Sequence, residues 1–188
     1  MQNKNKITDS EKAYIAGFLD GDGSIFAQII PNKNMLFGYH IRISIVFFQK
    51  TSRHWFLLWL KSKLQYGNLR KRPDGVSEYA IVGFSEVKDL LTLFCSHLKI
   101  KHKIAYHLLT LVKGLEYQKI LRDELKTTKT NSMKEETALR KKVFNHFLEL
   151  CDLVDASSHL TDSKKRTITS QTVRTAVAFP VETDETAK

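Results

Sequence analysis

Asp20 and Asp22 stand close together in YIAGFLDGDGS (14–24), where a stretch of helical character ends. Carboxylates are poorly placed there, because the unpaired carbonyls at a helix C-terminus already carry partial negative charge. A fold that keeps them either leaves them in solvent or holds a cation in view. A calcium loop fails on spacing: its sixth position is Ile25 instead of Gly, and its twelfth is Pro31 instead of Glu. A polar helix-to-strand turn, relaxed by Gly21 and Gly23, stays open. So does metal chemistry, and the residues upstream support it. Ala13, Gly17 and Gly21 recur at i, i+4 and i+8, a smooth stripe on which a second helix backbone can lie close. Two such helices side by side bring two Asp22 carboxylates together, and divalent cations relieve their repulsion. Paired carboxylates around Mg²⁺, beside a surface that holds nucleic acid, describe metal-assisted phosphodiester hydrolysis.

The surface that holds the polyanion is expected on a sheet. In SIFAQIIPN, Ile25, Ala27 and Ile29 share one face, with Ser24, Gln28 and Asn32 on the other. In YHIRISIVF, Tyr39, Ile41, Ile43, Ile45 and Phe47 alternate with His40, Arg42 and Ser44, a half-buried antiparallel strand. A second hairpin, GNLRKR and SEYAIV joined through PDG (73–75), adds Asn68, Arg70, Arg72 and Glu78. Arg, Asn, Gln and Glu are the side chains that read base edges, and a twisted antiparallel ribbon fits the major groove. One such strand is as consistent with a solvated face as with DNA; two hairpins with the same bias favour DNA. Phe26, Ile30, Val46 and Phe48 interrupt the face, either touching thymine methyls or lying beneath other structure.

The remaining elements follow from periodicity. A helix is expected over 11–21, capped by Ser10, and an amphipathic one over 51–64, capped by Thr51 or Ser52. PNKNMLFG reads as a hairpin loop, and EVKDLLTLFCSHL as a helix burying Val87, Leu90, Leu91, Phe94 and Leu98. LKIKHKIAYHLLTLVKGL is a basic lead-in to another helix. Residues 116–142 turn polar and read as a solvated excursion, part helix and part loop. A helix over 142–155 places Phe144, Phe147, Cys151 and Val154 at helical spacing, TDSKKRTITS is a basic loop, and SQTVRTAVAF a last helix. The order is that of an α+β fold with one antiparallel sheet. We expect one domain over 1–179, with residues 180–188 as an acidic tail.

A formal net charge of +10 commonly marks a polyanion partner, with a membrane surface or simple solubility as the other readings, and 42% hydrophobic residues argue for a folded chain. No apolar run reaches the roughly 18–20 residues of a membrane span. MQNKNKITDSEK has neither an apolar segment nor an Arg-rich amphipathic pattern, so no signal or transit peptide is expected. Cys95 and Cys151 lie in apolar helical patterns and read as buried thiols.

IAGFLDGDG resembles the signature of the LAGLIDADG homing endonucleases, with Ile15 in place of the leading Leu. AGFLDGDGSIFAQI, FFQKTSRHWFLLWL, SEYAIVG, LKIKHK and TDSKKRTITSQTVR resemble, in that order, the single-motif branch from chloroplast introns. The resemblance covers about 1–112 and 142–178. It implies an αββαββα core, a saddle-shaped sheet with helices on its other face, and a homodimer joined along Ala13, Gly17 and Gly21. It implies Mg²⁺-dependent double-strand cleavage of a long, nearly palindromic DNA that promotes intron mobility. Mn²⁺ is expected to substitute, and Ca²⁺ to support binding without cleavage.

On the same resemblance, Asp22 and the Gly21 carbonyl hold metal, Gln49 and Arg53 face the solvent network and scissile phosphate, and Lys101 lies near the active site. Without it, Gln49, Arg53 and Lys101 read as solvated surface. Base contacts carry over to Gln28, Ile30, Asn32, Asn34, His40, Arg42, Ser44, Asn68, Arg70, Arg72, Glu78 and Ala80. The loop Asp162–Arg166, with Ser163, Lys164 and Lys165, carries phosphate contacts, which raise affinity without specifying sequence. The 116–142 region is longer than the branch leads one to expect, and Ile30, Val46 and Phe48 are apolar where polar readers are expected. The alternative is a maturase-like RNA-binding splicing cofactor, for which the basic, extended 116–142 region would speak. A regulator with a dead site would be suggested by an altered Asp22, and Asp22 is intact. An organelle, the chloroplast, is the expected location.

Overall fold

The computed structural model describes residues 7–127, 133–158 and 168–177. Helix α1 (Asp9–Asp22) starts from Thr8, whose hydroxyl accepts from Glu11 N while the Glu11 carboxylate accepts from Thr8 N at 2.9 Å. This reciprocal cap replaces the expected Ser10, because only Thr8 has a carboxylate three residues on. Ile15, Ala16 and Leu19 are buried on the inner side of α1. Strand β1 (Gly23–Pro31) follows at once. A side chain at Gly23 would meet Leu19 Cδ1 at 2.5 Å and the Leu19 carbonyl at 2.9 Å, so the turn requires glycine.

Strand β2 (Tyr39–Lys50) pairs antiparallel with β1. A 3₁₀ turn (Thr51–Arg53) then leads into α2 (His54–Leu64), whose N-terminus has no side-chain cap. Neither Thr51 nor Ser52 acts as the expected cap; Thr51 Oγ1 instead accepts from Ser77. Strands β3 (Asn68–Lys71) and β4 (Val76–Val82) complete an antiparallel sheet of order β1-β2-β4-β3. Ile25, Ala27, Ile29, Ile43, Ile45, Phe47, Tyr79 and Ile81 line its buried face, as the alternation requires.

Helix α3 (Phe84–Phe94) buries Val87, Leu90, Leu91 and Phe94, and Leu98 is buried just beyond it. The polar stretch 116–142 is not a separate excursion where it is described. Residues 116–127 continue α4 (His102–Thr127), and residues 133–142 begin α5 (Met133–Ser158). The two helices run antiparallel, with Gln118 beside Val143 and His146, and His107 beside Leu153. The β1–β2 loop tucks under α5, where Phe37 meets Phe144 and Phe147 at ring distances of 4.9 and 5.6 Å. Helix α6 (Ser170–Ala176) is capped by Thr169.

Cys151 is buried as expected, and burial pushes its thiol up to about 12. Cys95 departs from the expectation, being only half-buried. Among the described residues no helix is long and apolar enough to cross a membrane. The loop carrying Ser163, Lys164 and Lys165, and the acidic tail, lie outside the described residues.

Candidate active site and nucleic-acid interface

The two aspartates at the end of α1 have different surroundings. Asp20 turns inward, 8% exposed, and its carboxylate accepts from Lys99 N at 2.6 Å, Ile100 N at 3.1 Å and Lys101 N at 2.9 Å. The Lys101 ammonium donates to the Asp20 carbonyl. Burial opposes the charged form of Asp20, but the three backbone donors and Lys101 outweigh it and hold the carboxyl below its usual range. The cation that a helix C-terminus calls for is therefore Lys101, as far as Asp20 is concerned.

Asp22 faces outward. Gln49 Nε2 donates to its Oδ2 at 3.2 Å, and a shallow concavity is lined by Asp22, Phe48, Gln49, Lys50, Arg53 and Val76. The structure thus brings Asp22, Gln49 and Arg53 together. Lys101 lies on the Asp20 side of the helix end and does not line that concavity. Among the described residues no three His, Cys, Asp or Glu side chains gather as a metal cluster. With the Asp20 carboxylate committed to backbone donors, Asp22 is the side-chain oxygen donor left at this end of α1, next to the exposed Gly21. Carboxylate and carbonyl oxygens are the hard donors that Mg²⁺ takes, usually few per chain and completed by water and phosphate, so the donor set fits that ion.

The turn that bears Arg53 is held by a network that sequence reasoning missed. Gln49 stands opposite Ser77 in the β2–β4 ladder, and Ser77 is fully buried. Its hydroxyl meets His54 Nδ1 at 2.9 Å and donates to Thr51 Oγ1 at 3.4 Å, while Thr51 N donates to the Gly75 carbonyl at 2.8 Å. These bonds tie the 3₁₀ turn bearing Arg53 to the β3–β4 hairpin. The available signal was Ser77 itself, a polar residue on the apolar side of an alternating strand, which must find a partner.

On the opposite face the register sets out rows of side chains: Ile30 beside His40, Gln28 beside Arg42, Asn68 beside Ala80, and Arg70 beside Glu78. Within the rows, Arg42 donates to Gln28 at 2.7 Å and Arg70 pairs with Glu78 at 3.0 Å. Arg72 lies just past β3 and pairs with Asp74 at 2.7 Å. Asn32 and Asn34 belong to the β1–β2 loop, where Asn34 N donates to Asn32 Oδ1. Ser44 shares the face by alternation but is 2% exposed, at the centre of the sheet between Phe26 and Val82. Only a shift of its neighbours would open it to a base. Burial, helped by the charge of Arg42, lowers the pKa of His40 and favours its neutral ring.

The outer side of α1 is bare. Ala13, Gly17 and Gly21 are exposed, and a Cβ built on either glycine meets nothing within 4 Å. Nothing in this chain's own packing demands small residues there. Alongside lie Tyr14, 59% exposed, and Trp55, 67% exposed, joined through Phe56 by edge-on ring contacts at 6.0 Å. An aromatic patch of this kind marks an interaction surface. Tyr14 and Trp55 were not singled out from the sequence, because at helical spacing an aromatic reads first as core.

Comparison with known proteins bears on this arrangement. The family profile described as LAGLIDADG endonuclease matches residues 15–113. DNA endonuclease I-CvuI of Chlorella vulgaris is 35% identical over 93% of this chain and 94% of its own length. DNA endonuclease I-CreI of Chlamydomonas reinhardtii is 35% identical over 86% of this chain and 85% of its own. A crystal structure of I-CvuI bound to an I-CreI target with Mg, its DNA not cleaved, superposes with a TM-score of 0.73 at 32% identity, over 89% of this chain and 92% of that one. A second I-CvuI structure holds its own target in the presence of Ca and matches equally well.

Proposed function

The chain belongs to the LAGLIDADG endonuclease family, and from that premise we propose that it acts as a homodimeric, Mg²⁺-dependent homing endonuclease. Its substrate is a long, nearly palindromic DNA duplex, and the break promotes intron mobility. The observation that carries this reading is the outward Asp22, with Gln49 and Arg53 in one concavity at the tip of a helix whose outer side is bare. One chain has half a site, and a second copy against the α1 stripe supplies the other carboxylate.

Asp22 and the Gly21 carbonyl are the groups that would hold the ion, which supplies Lewis acidity for phosphodiester hydrolysis. Gln49 orients the Asp22 carboxylate through its amide. Arg53, from the same concavity, offsets the negative charge that builds on the scissile phosphate. Lys101 adds positive charge at the helix end while fastening the 99–101 segment. The sheet face reads bases through Gln28, Arg42, Arg70 and Glu78, which must exchange their bonds to one another for bonds to DNA. The relatives are named as DNA endonucleases of green algae, which favours DNA over the RNA-splicing alternative and an organelle, the chloroplast, as the site of action.

Incubating purified protein and Mg²⁺ with a randomised library of long, roughly palindromic duplexes tests the proposal. Sequenced ends should cluster on one motif and vanish with EDTA; no clustered ends, with structured intron RNA still bound, would transfer support to the splicing role. The dimer has its own test. Gly17→Leu has room within the chain, so the monomer should fold with unchanged circular dichroism, while sedimentation should show loss of the dimer and cleavage should disappear. A Gly17→Leu protein that still sediments as a dimer places the interface elsewhere.

A further inference from the structure

The distal part of α4, beyond Leu115, has no task in the activity described so far. It passes beside the β1–β2 loop, at the outer end of the reading face. Lys119, Arg122 and Lys126 fall at i, i+3 and i+7 and so share one flank of the helix. With Met35 and Leu36 of the loop, and His40 of β2, they line a groove. Arg122 Nη2 reaches to 3.8 Å from Met35 Sδ, which fixes the helix against the loop. The groove is continuous with the reading face, because His40 stands opposite Ile30 in the outermost rows of the β1–β2 ladder.

The charge of this flank is uneven. Asp123 also lines the groove and pairs with Lys126 at 3.3 Å, and Glu116 is taken by Lys88 at 2.6 Å. Lys119 and Arg122 have no carboxylate within ion-pair distance among the described residues. Lys33 is exposed on the neighbouring loop and adds a further cation. Long cationic side chains over an apolar floor suit phosphates better than base edges, and the amide that lines the groove, Gln118, is buried and already bonded to the Val143 carbonyl and His146. The loop cannot swing away freely, since Phe37 anchors it between Phe144 and Phe147 of α5.

We propose that Lys119, Arg122 and Lys126 form a phosphate-binding ridge that grips duplex DNA flanking the sequence read by the sheet. This rests on the endonuclease reading and lengthens its substrate: the ridge raises affinity and fixes register without adding sequence specificity. Duplex DNA is favoured over RNA because the ridge runs on from a face built to read a DNA groove.

The test compares two duplexes in Ca²⁺, one trimmed to the cleavage motif and one extended by about one helical turn on each side. Wild type should bind the extended duplex about tenfold more tightly, with a salt slope steeper by about 2 per protomer. The Lys119→Ala, Arg122→Ala, Lys126→Ala triple variant should bind both duplexes alike, with an unchanged affinity for the trimmed one. Equal binding of the two duplexes by wild type overturns the ridge without any variant having to fold. So does a triple variant that keeps the flank preference, or one that loses only binding to structured intron RNA. If neither duplex is bound, the endonuclease reading fails and the ridge falls with it, a result distinct from equal binding.

Discussion

Asp22→Asn is expected to lower single-turnover cleavage by at least about 10³-fold while leaving target binding in Ca²⁺ within about threefold of wild type. The two side chains have the same shape, and an amide oxygen still accepts from Gln49 Nε2, the contact that orients the group now. What is lost is the negative charge. A hard divalent cation that displaces few of its waters depends on carboxylates more than on neutral oxygens, and the inward Asp20 cannot replace the missing one because backbone donors occupy it. Binding rests on the basic sheet face and on phosphate contacts, neither of which includes Asp22. Gel analysis of cleavage and fluorescence anisotropy of binding, run on one target, separate the two effects. An Asp22→Asn protein that cuts within tenfold of wild type would remove Asp22 from the chemistry. A variant that neither cuts nor binds would show instead that the helix end shapes the DNA surface.

How far such roles were legible in the sequence differs from residue to residue. The odd-numbered Ile25, Ala27, Ile43, Ile45 and Phe47 are apolar without a break, while the even positions mix Ser24, Gln28, Arg42 and Ser44 with Phe26 and Val46. An unbroken apolar row of period two has one physical solution, a sheet with that face buried. The start of α1 was equally legible: Thr8 and Glu11 spell a capping box, and choosing Ser10 overlooks the carboxylate three residues further on. Ser44 shows where local rules stop. Alternation puts it on the reading face, but its burial comes from its place in the central strand, between Phe26 and Val82 of strands met elsewhere in the chain.

Gln118 makes the same point from the other side. In sequence it is one more polar residue in a polar stretch, yet it is 4% exposed, donating to the Val143 carbonyl and meeting His146 Nδ1 at 2.5 Å. Bonds of that kind let helices of low hydropathy pack, and no window of sequence contains both partners. Gln49, Arg53 and Lys101 were legible only through family resemblance. Their side chains are ordinary surface types, and what distinguishes them is nearness to the end of α1.

Asp20 is the residue that local reasoning left most open, and it carries the second large prediction. Asp20→Ala should destabilise the protein by about 2–4 kcal/mol, because it removes a charged acceptor shared by the backbone donors of Lys99, Ile100 and Lys101. For a chain of this length that is a fall in melting temperature on the order of 10 °C at matched protein concentration. The bonds join residues 79 to 81 positions apart, so their loss frees the 99–101 segment and with it the Lys101 ammonium. Asp20→Asn keeps an accepting oxygen but turns an amide donor toward other donors, and should fall between Asp20→Ala and wild type.

The pH dependence separates charge from shape. Asp20 is held below the unfolded value of 3.8, so its charged form stabilises the fold above that pH, and the gain is lost as pH falls through the lower, folded value. The stability gap between wild type and Asp20→Asn should therefore be full near neutrality and shrink below about pH 4. A gap that stays constant down to pH 2.5 would mean that geometry, not ionisation, makes Asp20 stabilising. Once the folded fraction is corrected for, Asp20→Asn should still cut DNA within about tenfold of wild type, since its carboxylate faces backbone and not phosphate. If Asp20→Asn instead lost cleavage as completely as Asp22→Asn while staying folded, both carboxylates would belong to the metal site, and the assignment of one to structure and one to chemistry would fall.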